Sequence, residues 1–77
     1  MVIIKIDKQG TGKRIRELRL KGNLSINEVS KILSFKGYLF YERGLLKPKL
    51  VHLLQLSTIY NVKLDDLIRY HVDVWHH

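Results

Sequence analysis

Strong stop and start signals divide this chain into short helices. Gly22-Asn23 ends one amphipathic segment, and Ser25-Ile26-Asn27-Glu28 opens another almost directly after it. A serine three residues before a glutamate forms a capping box, in which the serine hydroxyl accepts from the glutamate amide and the carboxylate accepts from the serine amide. A helix is therefore predicted from this box to about Leu33, with Val29, Ile32 and Leu33 facing the core.

Four more helices are predicted around this one. The first has an apolar stripe at helical spacing behind Thr11 as its N-cap, and Gly44 ends the third. Pro48 suits the first turn of the fourth because its missing amide donor costs nothing there, and Asn61 suits a left-handed terminator. The predicted ranges are about 12–21, 38–43, 48–60 and 65–70. The residues expected to face inward in the fourth helix are Leu50, Leu53, Leu54, Leu56 and Ile59.

The ends of the chain have β-type patterns. Residues 1–6 are apolar and β-branched, and the tail HVDVWHH alternates apolar and polar residues. One strand cannot form a sheet alone, so a strand at 1–6 implies pairing with the tail or with a second copy. The expected fold is a compact five-helix all-α domain with short terminal β-segments. It divides into an N-terminal arm at 1–10, a domain at 11–70 whose second and third helices have helix-turn-helix proportions, and a tail at 71–77.

The charge of the chain is large and unevenly spread. The net charge is +7 over 77 residues. Residues 8–49 hold 11 basic and 3 acidic residues, whereas residues 50–77 hold 2 and 3. This split predicts a basic face for an acidic partner, most obviously a nucleic-acid backbone, and a near-neutral half for packing or association. A merely solvated surface is the alternative, and so lopsided a charge argues against it.

Composition also disfavours several functions. A chain this short has no room for a substrate cavity beside its core, and no catalytic arrangement or phosphate loop is visible, so neither an enzyme nor a cofactor is predicted. There is no cysteine, and the spacing of His71, His76 and His77 matches no zinc signature. Trp75 is expected to pack against the domain or a second copy. No apolar run is long enough to span a membrane, and the expected location is the cytoplasm.

Five segments occur in an informative order. They are GKRIRELR at 12–19, LSINEVSKIL at 24–33, YERG at 41–44, Pro48, and NVKLDDLI at 61–68. In this order and spacing, over roughly residues 11–68, the chain resembles the Cro/CI-type, lambda-repressor-like helix-turn-helix family. The resemblance implies a regulator that binds double-stranded DNA as a homodimer on a two-fold site. It also implies an ion pair between Glu42 of the third helix and Arg19 of the first.

The resemblance assigns residues to the DNA as well. In the family, residues at the start of the third helix, the recognition helix, face the major groove, and basic residues around it hold phosphates. The implied base-facing residues are Lys36, Gly37, Tyr38 and Phe40. The implied phosphate contacts are Lys13, Arg14, Arg43, Lys47 and Lys49. Distance from Tyr41 aligns Tyr38 with a core position instead, so core packing and DNA contact are both open for this residue.

Departures from the family pattern bear on base reading. The stretch 33–41 is about two to three residues shorter than usual, and the missing length falls in the turn and at the start of the recognition helix. Ile26 stands where a phosphate-contacting glutamine is common. Leu45 and Leu46 replace the usual basic or polar residues, and Gly37 weakens the remaining helix.

Two other functions are compatible with these departures. Ile26, Phe40, Leu45 and Leu46 could form an exposed apolar patch for a protein partner, as in an anti-regulator or an antitoxin-like protein. Alternatively, the basic residues alone could bind nucleic acid with little sequence preference. Loss of binding in Lys36→Ala with Arg43→Ala would favour the DNA-binding regulator, whereas loss in Leu45→Glu with Leu46→Glu would favour the protein module.

Overall fold

The fold is a helical body with a two-stranded ribbon made by the two ends of the chain. The structure, a computed structural model, describes residues 1–74. Trp75 and the His76-His77 end lie outside the described residues, together with the predictions made for them. The elements are β1 (Val2–Ile6), α1 (Lys8–Lys21), α2 (Ile26–Leu33), α3 (Tyr38–Glu42), α4 (Leu50–Ile59), α5 (Leu64–Leu67) and β2 (Tyr70–Val74). The predicted five-helix domain with short terminal strands is confirmed over this range.

Helix α2 begins at the predicted capping box. The Glu28 amide donates to the Ser25 hydroxyl at 3.0 Å, and the Ser25 amide donates to the Glu28 carboxylate at 3.1 Å. Val29 and Leu33 are buried as expected, but Ile32 is half exposed, so its predicted place in the core is wrong. Two adjacent helical residues point about 100° apart, and Leu33 takes the inward position.

Helix α1 begins earlier than the sequence pattern indicated. Asp7 is its N-cap and accepts a hydrogen bond from the Gly10 amide at 3.0 Å. A carboxylate at this position also interacts favourably with the partial positive charge of the helix N-terminus. The predicted cap, Thr11, lies one turn inside the helix and is fully buried, so that prediction is wrong. Its hydroxyl instead accepts from the Arg69 amide at 3.0 Å.

The start of α4 differs from the prediction too. Lys49 is its N-cap, so Pro48 precedes the helix and does not lie in its first turn. Of the predicted inward leucines, Leu53 and Leu56 are buried, whereas Leu50 and Leu54 are exposed. The stripe facing the core therefore follows Leu53 and Leu56, and the other two leucines lie beside it on the exposed surface of the helix.

The end of the helical body is shorter than expected. Helix α5 has its two aspartates in the first turn as predicted, but it ends at Leu67, and Tyr70 opens β2 instead of ending the helix. Asn61 has a φ of 53°, the left-handed conformation expected of a terminator. The core of the body is Ile15, Leu18, Val29, Leu33, Tyr38, Tyr41, Leu53, Leu56 and Leu67.

The ribbon pairs residues from opposite ends of the chain. Strands β1 and β2 are antiparallel, with Val2 opposite Val74 and Ile6 opposite Tyr70. At its base the Asp7 amide donates to the Arg69 carbonyl at 2.8 Å, which joins the ribbon to the first turn of α1. Within residues 1–74, no helix is long and apolar enough to cross a bilayer. The same residues contain no group of three side chains suited to hold a metal ion.

Candidate nucleic-acid interface

The turn between α2 and α3 is tight and fixed by an aromatic side chain. Ser34 adopts the left-handed conformation with φ of 51° and ends α2. Phe35 then folds back, with its ring centroid 5.1 Å from that of Tyr41 and 4.7 Å from that of His52. A Cβ on Gly37 would lie 2.4 Å from the Phe35 ring, so only glycine lets the ring take this position. Phe35 thus anchors this short turn to the helical body.

The side of α3 that faces the body has no surface left for a ligand. We call this the inner side and define it by Tyr38, Tyr41 and Glu42. Both tyrosine side chains have 0% exposed area. The Tyr38 hydroxyl lies 3.2 Å from that of Tyr60, and burial raises the pKa of Tyr38 strongly. The structure decides between the two roles considered for Tyr38: it is a core residue and is removed from the candidate DNA contacts.

The predicted ion pair between α1 and α3 is formed. Arg19 Nε donates to Glu42 Oε2 at 2.6 Å and Nη2 donates to Oε1 at 2.9 Å, with side-chain exposures of 9% and 4%. Arg19 Nη1 also donates to the Leu24 carbonyl at 3.0 Å. The bond to Glu42 raises the pKa of Arg19 against the opposing effect of burial. Three charge-assisted bonds from one guanidinium fix α3 against α1 and the start of α2.

Helices α1 and α3 also touch through their backbones. A Cβ on Gly12 would lie 2.3 Å from the Tyr41 carbonyl oxygen and 2.8 Å from that of Glu42. Glycine is therefore required at this crossing. The sequence pattern places Gly12 only near the helix start, because nothing in it indicates which backbone will approach this residue.

A buried tyrosine and histidine pair lies beneath the turn, and the sequence analysis missed it. Tyr41 Oη lies within hydrogen-bond distance of His52 Nδ1, at 2.6 Å, and accepts a hydrogen bond from the Lys49 amide at 3.4 Å. Burial, with a smaller effect of the Lys49 charge, lowers the pKa of His52. The pair connects α3 to α4, and burial favours the neutral form of its histidine.

The outer side of α3, which we define by Leu39 and Phe40, is apolar. Leu39 is half-buried and the Phe40 ring is 45% exposed. Lys36 is exposed in the turn just before the helix, whereas Gly37 is half-buried beneath Phe35 and offers only backbone. Of the four residues expected to face bases, Lys36 and Phe40 therefore have side chains available for contact.

Most of the expected phosphate contacts are exposed. Arg43, Lys47 and Lys49 follow α3, and Lys13 lines the same cleft as Arg43, between α1 and the end of α3. Arg14 is different: its Nε donates to the Asp66 carbonyl at 3.0 Å, so it is turned toward α5 and removed from the candidate contacts. The ion pairs found within residues 1–74 are Arg14–Glu17 and Arg19–Glu42, so the four remaining phosphate contacts keep their charge for a partner.

The apolar patch considered for a protein partner is only partly present. Ile26 is half-buried and packs against the core, so its expected exposure is wrong. Leu45 and Leu46 are 64% and 41% exposed in the loop after α3. The Leu45 amide donates to the Phe40 carbonyl at 3.0 Å, which places this loop beside the outer side of α3.

Comparison with known proteins agrees with this geometry. A family model described as Helix-turn-helix matches residues 15–67 of the 77. No curated protein and no solved structure matches the chain. The matched range includes Arg19, Glu42 and the whole segment from α2 to α5. The chain belongs to the Cro/CI-type helix-turn-helix family, whose members are DNA-binding regulatory domains.

Proposed function

We propose that this protein is a transcriptional regulator that binds duplex DNA as a dimer, chiefly through phosphates, and reads sequence with few side chains. The observation that carries the proposal is the composition of the surface around α3. Five exposed cations without acidic partners in the described residues surround it: Lys13, Lys36, Arg43, Lys47 and Lys49. This is the surface that a helix-turn-helix presents to the major groove.

Base reading would rest on two residues. Lys36 has the reach and the donors to contact guanine O6 or N7, and Phe40 suits contact with a thymine methyl. The rest of the short recognition helix faces the core, so sequence preference would be modest compared with overall affinity. Since a regulator of this kind acts where the DNA is, we propose the cytoplasm as its location.

The salt dependence of binding tests the phosphate contacts. The four phosphate contacts, Lys13, Arg43, Lys47 and Lys49, give a slope of log affinity against log salt of about −3.6 for duplex DNA. We would titrate the protein against the DNA upstream of its own gene and against random duplex at two salt concentrations. The proposal is supported if the protein binds the upstream DNA tightly and more tightly than it binds the random duplex. Absence of binding to both at low salt would refute it.

Matched variants separate the two kinds of contact. Lys47→Ala should weaken binding to all sequences equally and reduce the salt slope by about one unit. Lys36→Ala should also narrow the preference between sequences, because it removes a base contact. Lys63→Ala is the control, since it removes the same charge from the loop before α5, outside the proposed interface. Equal losses in all three variants would mean that only net charge matters.

The protein-partner alternative is less well supported. With Ile26 packed against the core, it depends on Phe40, Leu45 and Leu46. Three side chains are few compared with the contiguous apolar patches that mark protein interfaces. Leu45→Glu with Leu46→Glu should accordingly weaken DNA binding modestly, by repulsion of phosphates, and abolish no other interaction.

A further inference from the structure

The ribbon has two faces of opposite character. In an antiparallel pair, residues directly opposite each other project from the same face, and alternate pairs project from alternate faces. The pairs on one face are Val2 with Val74, Ile4 with Val72, and Ile6 with Tyr70. The pairs on the other face are Ile3 with Asp73 and Lys5 with His71. We call the first, which has no charged side chain, the apolar face.

The apolar face is largely uncovered. Val2, Ile4, Val72 and Val74 are 51–64% exposed, and Ile6 is half-buried where the ribbon meets the helical body. Each strand of the ribbon makes far more contacts with the other strand than with any helix. The molecule is 48 Å long but only 22 by 18 Å across, as expected if the ribbon projects from the body. A two-stranded ribbon is marginally stable alone in water, so a ribbon with such a face is incomplete without a partner.

Charge indicates which partner completes it. Two copies of a chain with net charge +7 repel each other, and 11 of its cations lie in residues 8–49, which form the body. The apolar face itself holds no charged side chain, whereas the charged residues of the ribbon, Lys5 and Asp73, are on its other face. A flat, uncharged and narrow face fits a second copy of itself, related by a two-fold axis, with the least repulsion.

The area of the apolar face determines how strongly two copies of the chain are expected to associate. Six partly exposed apolar side chains can remove roughly 250–500 Å² per protomer from water, or roughly 500–1,000 Å² in total. Stable complexes typically bury about 1,200–2,000 Å², so the face alone suits a weak dimer. Such a dimer would assemble fully where DNA holds two protomers side by side.

We propose that the protein dimerises by packing the apolar faces of two ribbons against each other. The apolar face would then be the interface of the DNA-binding dimer, and this role rests on the proposed function. Two ribbons packed face to face form a small four-stranded, two-layer structure with the layers about 10 Å apart. The helical bodies then project from its two ends, each with its own surface for DNA.

Sedimentation of the full chain between about 1 μM and 1 mM tests the dimer. We expect concentration-dependent dimerisation of the wild type that strengthens as salt screens the repulsion between bodies. Ile4→Lys should raise the dimer Kd by at least about tenfold, because it buries an unpaired ammonium at the centre of the interface. Lys5→Ser, the adjacent residue on the other face, is the control and should stay within about twofold of the wild type.

Several sedimentation results would contradict the proposed dimer interface. A monomeric wild type over the whole range, or an Ile4→Lys variant that dimerises normally, would overturn the inference. So would a dimer lost in Leu54→Lys and kept in Ile4→Lys, which would place the interface on the exposed side of α4. Far-UV circular dichroism reports whether the helical body of each variant is folded.

Titration with a duplex too short for two protomers separates this inference from the proposed function. If the function is right and the inference is right, Ile4→Lys binds that duplex as well as the wild type does. If the wild type does not bind DNA at all, the function fails, and the sedimentation results still decide the dimer.

Discussion

The inner and outer sides of α3 differ in how fully their contacts are determined. On the inner side, Tyr38, Tyr41 and Glu42 are buried, hydrogen-bonded and held against α1 and α4. The outer side offers Leu39 and an exposed Phe40 ring, with no polar side chain between 38 and 42 left free for a base. Fold and recognition compete for the same five residues, and in this protein most of them serve the fold.

This competition follows from helix length. In an α-helix about 3.6 residues make one turn, so a five-residue helix has little more than one turn to divide between a buried side and an exposed side. A longer recognition helix would place additional residues before Tyr38, where they could reach bases without disturbing the core. The cations in the neighbouring loops are therefore expected to contribute most of the affinity for DNA.

The largest change to the inner side is expected from Glu42→Ala. It leaves the Arg19 guanidinium buried without its partner, which costs about 3–5 kcal/mol of unfolding free energy. Urea unfolding at 25 °C measures the loss. The control is Glu17→Ala, which removes an exposed pair with Arg14 at 3.7 Å and should cost less than about 1 kcal/mol. Similar losses in both variants would contradict the importance given to the buried pair.

Gly12→Ala is expected to have the next largest effect. The new methyl group would overlap the Tyr41 carbonyl and force α1 away from α3, at a cost of about 1–3 kcal/mol. Gly22→Ala is the matched control, since the nearest atom to its Cβ is 3.4 Å away and its φ of −84° suits alanine. The difference between the two urea midpoints gives the cost of separating the helices. If Gly12→Ala and Gly22→Ala had the same urea midpoint, α1 and α3 would have moved apart without a loss of stability.

The buried histidine predicts a pH dependence on the inner side. Its pKa is lowered in the folded state from the ordinary value of 6.5, so the unfolded chain binds the proton more readily. The stability contributed by neutral His52 is therefore present above about pH 6.5 and falls as the pH drops through that value. We expect His52→Gln to be less stable at neutral pH but to show less loss on acidification.

Urea unfolding at several pH values checks this expectation. His71→Gln, which changes an exposed histidine of the ribbon, is the control for the loss of an imidazole. If His52→Gln lost stability on acidification as steeply as the wild type, another group would be responsible.

The smallest effect is expected on the outer side. If Phe40 packs on a thymine methyl, replacing thymine by deoxyuridine in the bound site should weaken binding by about 0.8 kcal/mol, or roughly fourfold. Phe40→Ala should bind the two duplexes equally while unfolding at nearly the wild-type urea concentration. Equal binding of both duplexes by the wild type would remove Phe40 from the reading surface.

Local signals in the sequence predicted the parts of the fold that local contacts determine. The Ser25 and Glu28 capping box and the Asn61 terminator depend on residues three or fewer positions away, and both form as expected. Thr11 was mistaken for a cap because Asp7 offers a charged alternative four residues earlier. Leu50 and Leu54 were assigned to the core because leucine spacing alone does not tell which side of a helix is buried.

The candidate site was less predictable for a physical reason. Whether Tyr38 faces the core, whether Arg14 bonds to Asp66 and whether His52 reaches Tyr41 all depend on packing between segments far apart in the chain. Only the Arg19 and Glu42 pair could be placed beforehand, because the family resemblance supplied that long-range contact.

The pairing of Val2 with Val74 closes almost the whole chain into a ring. Closing a loop of this length has an entropic cost that grows with the logarithm of its length, whereas contacts within and between neighbouring helices need little closure. We therefore expect the helical body to fold first and β1 to pair with β2 last. If dimers form through the ribbon, assembly comes after folding, and separation of β1 from β2 limits how long two copies stay together.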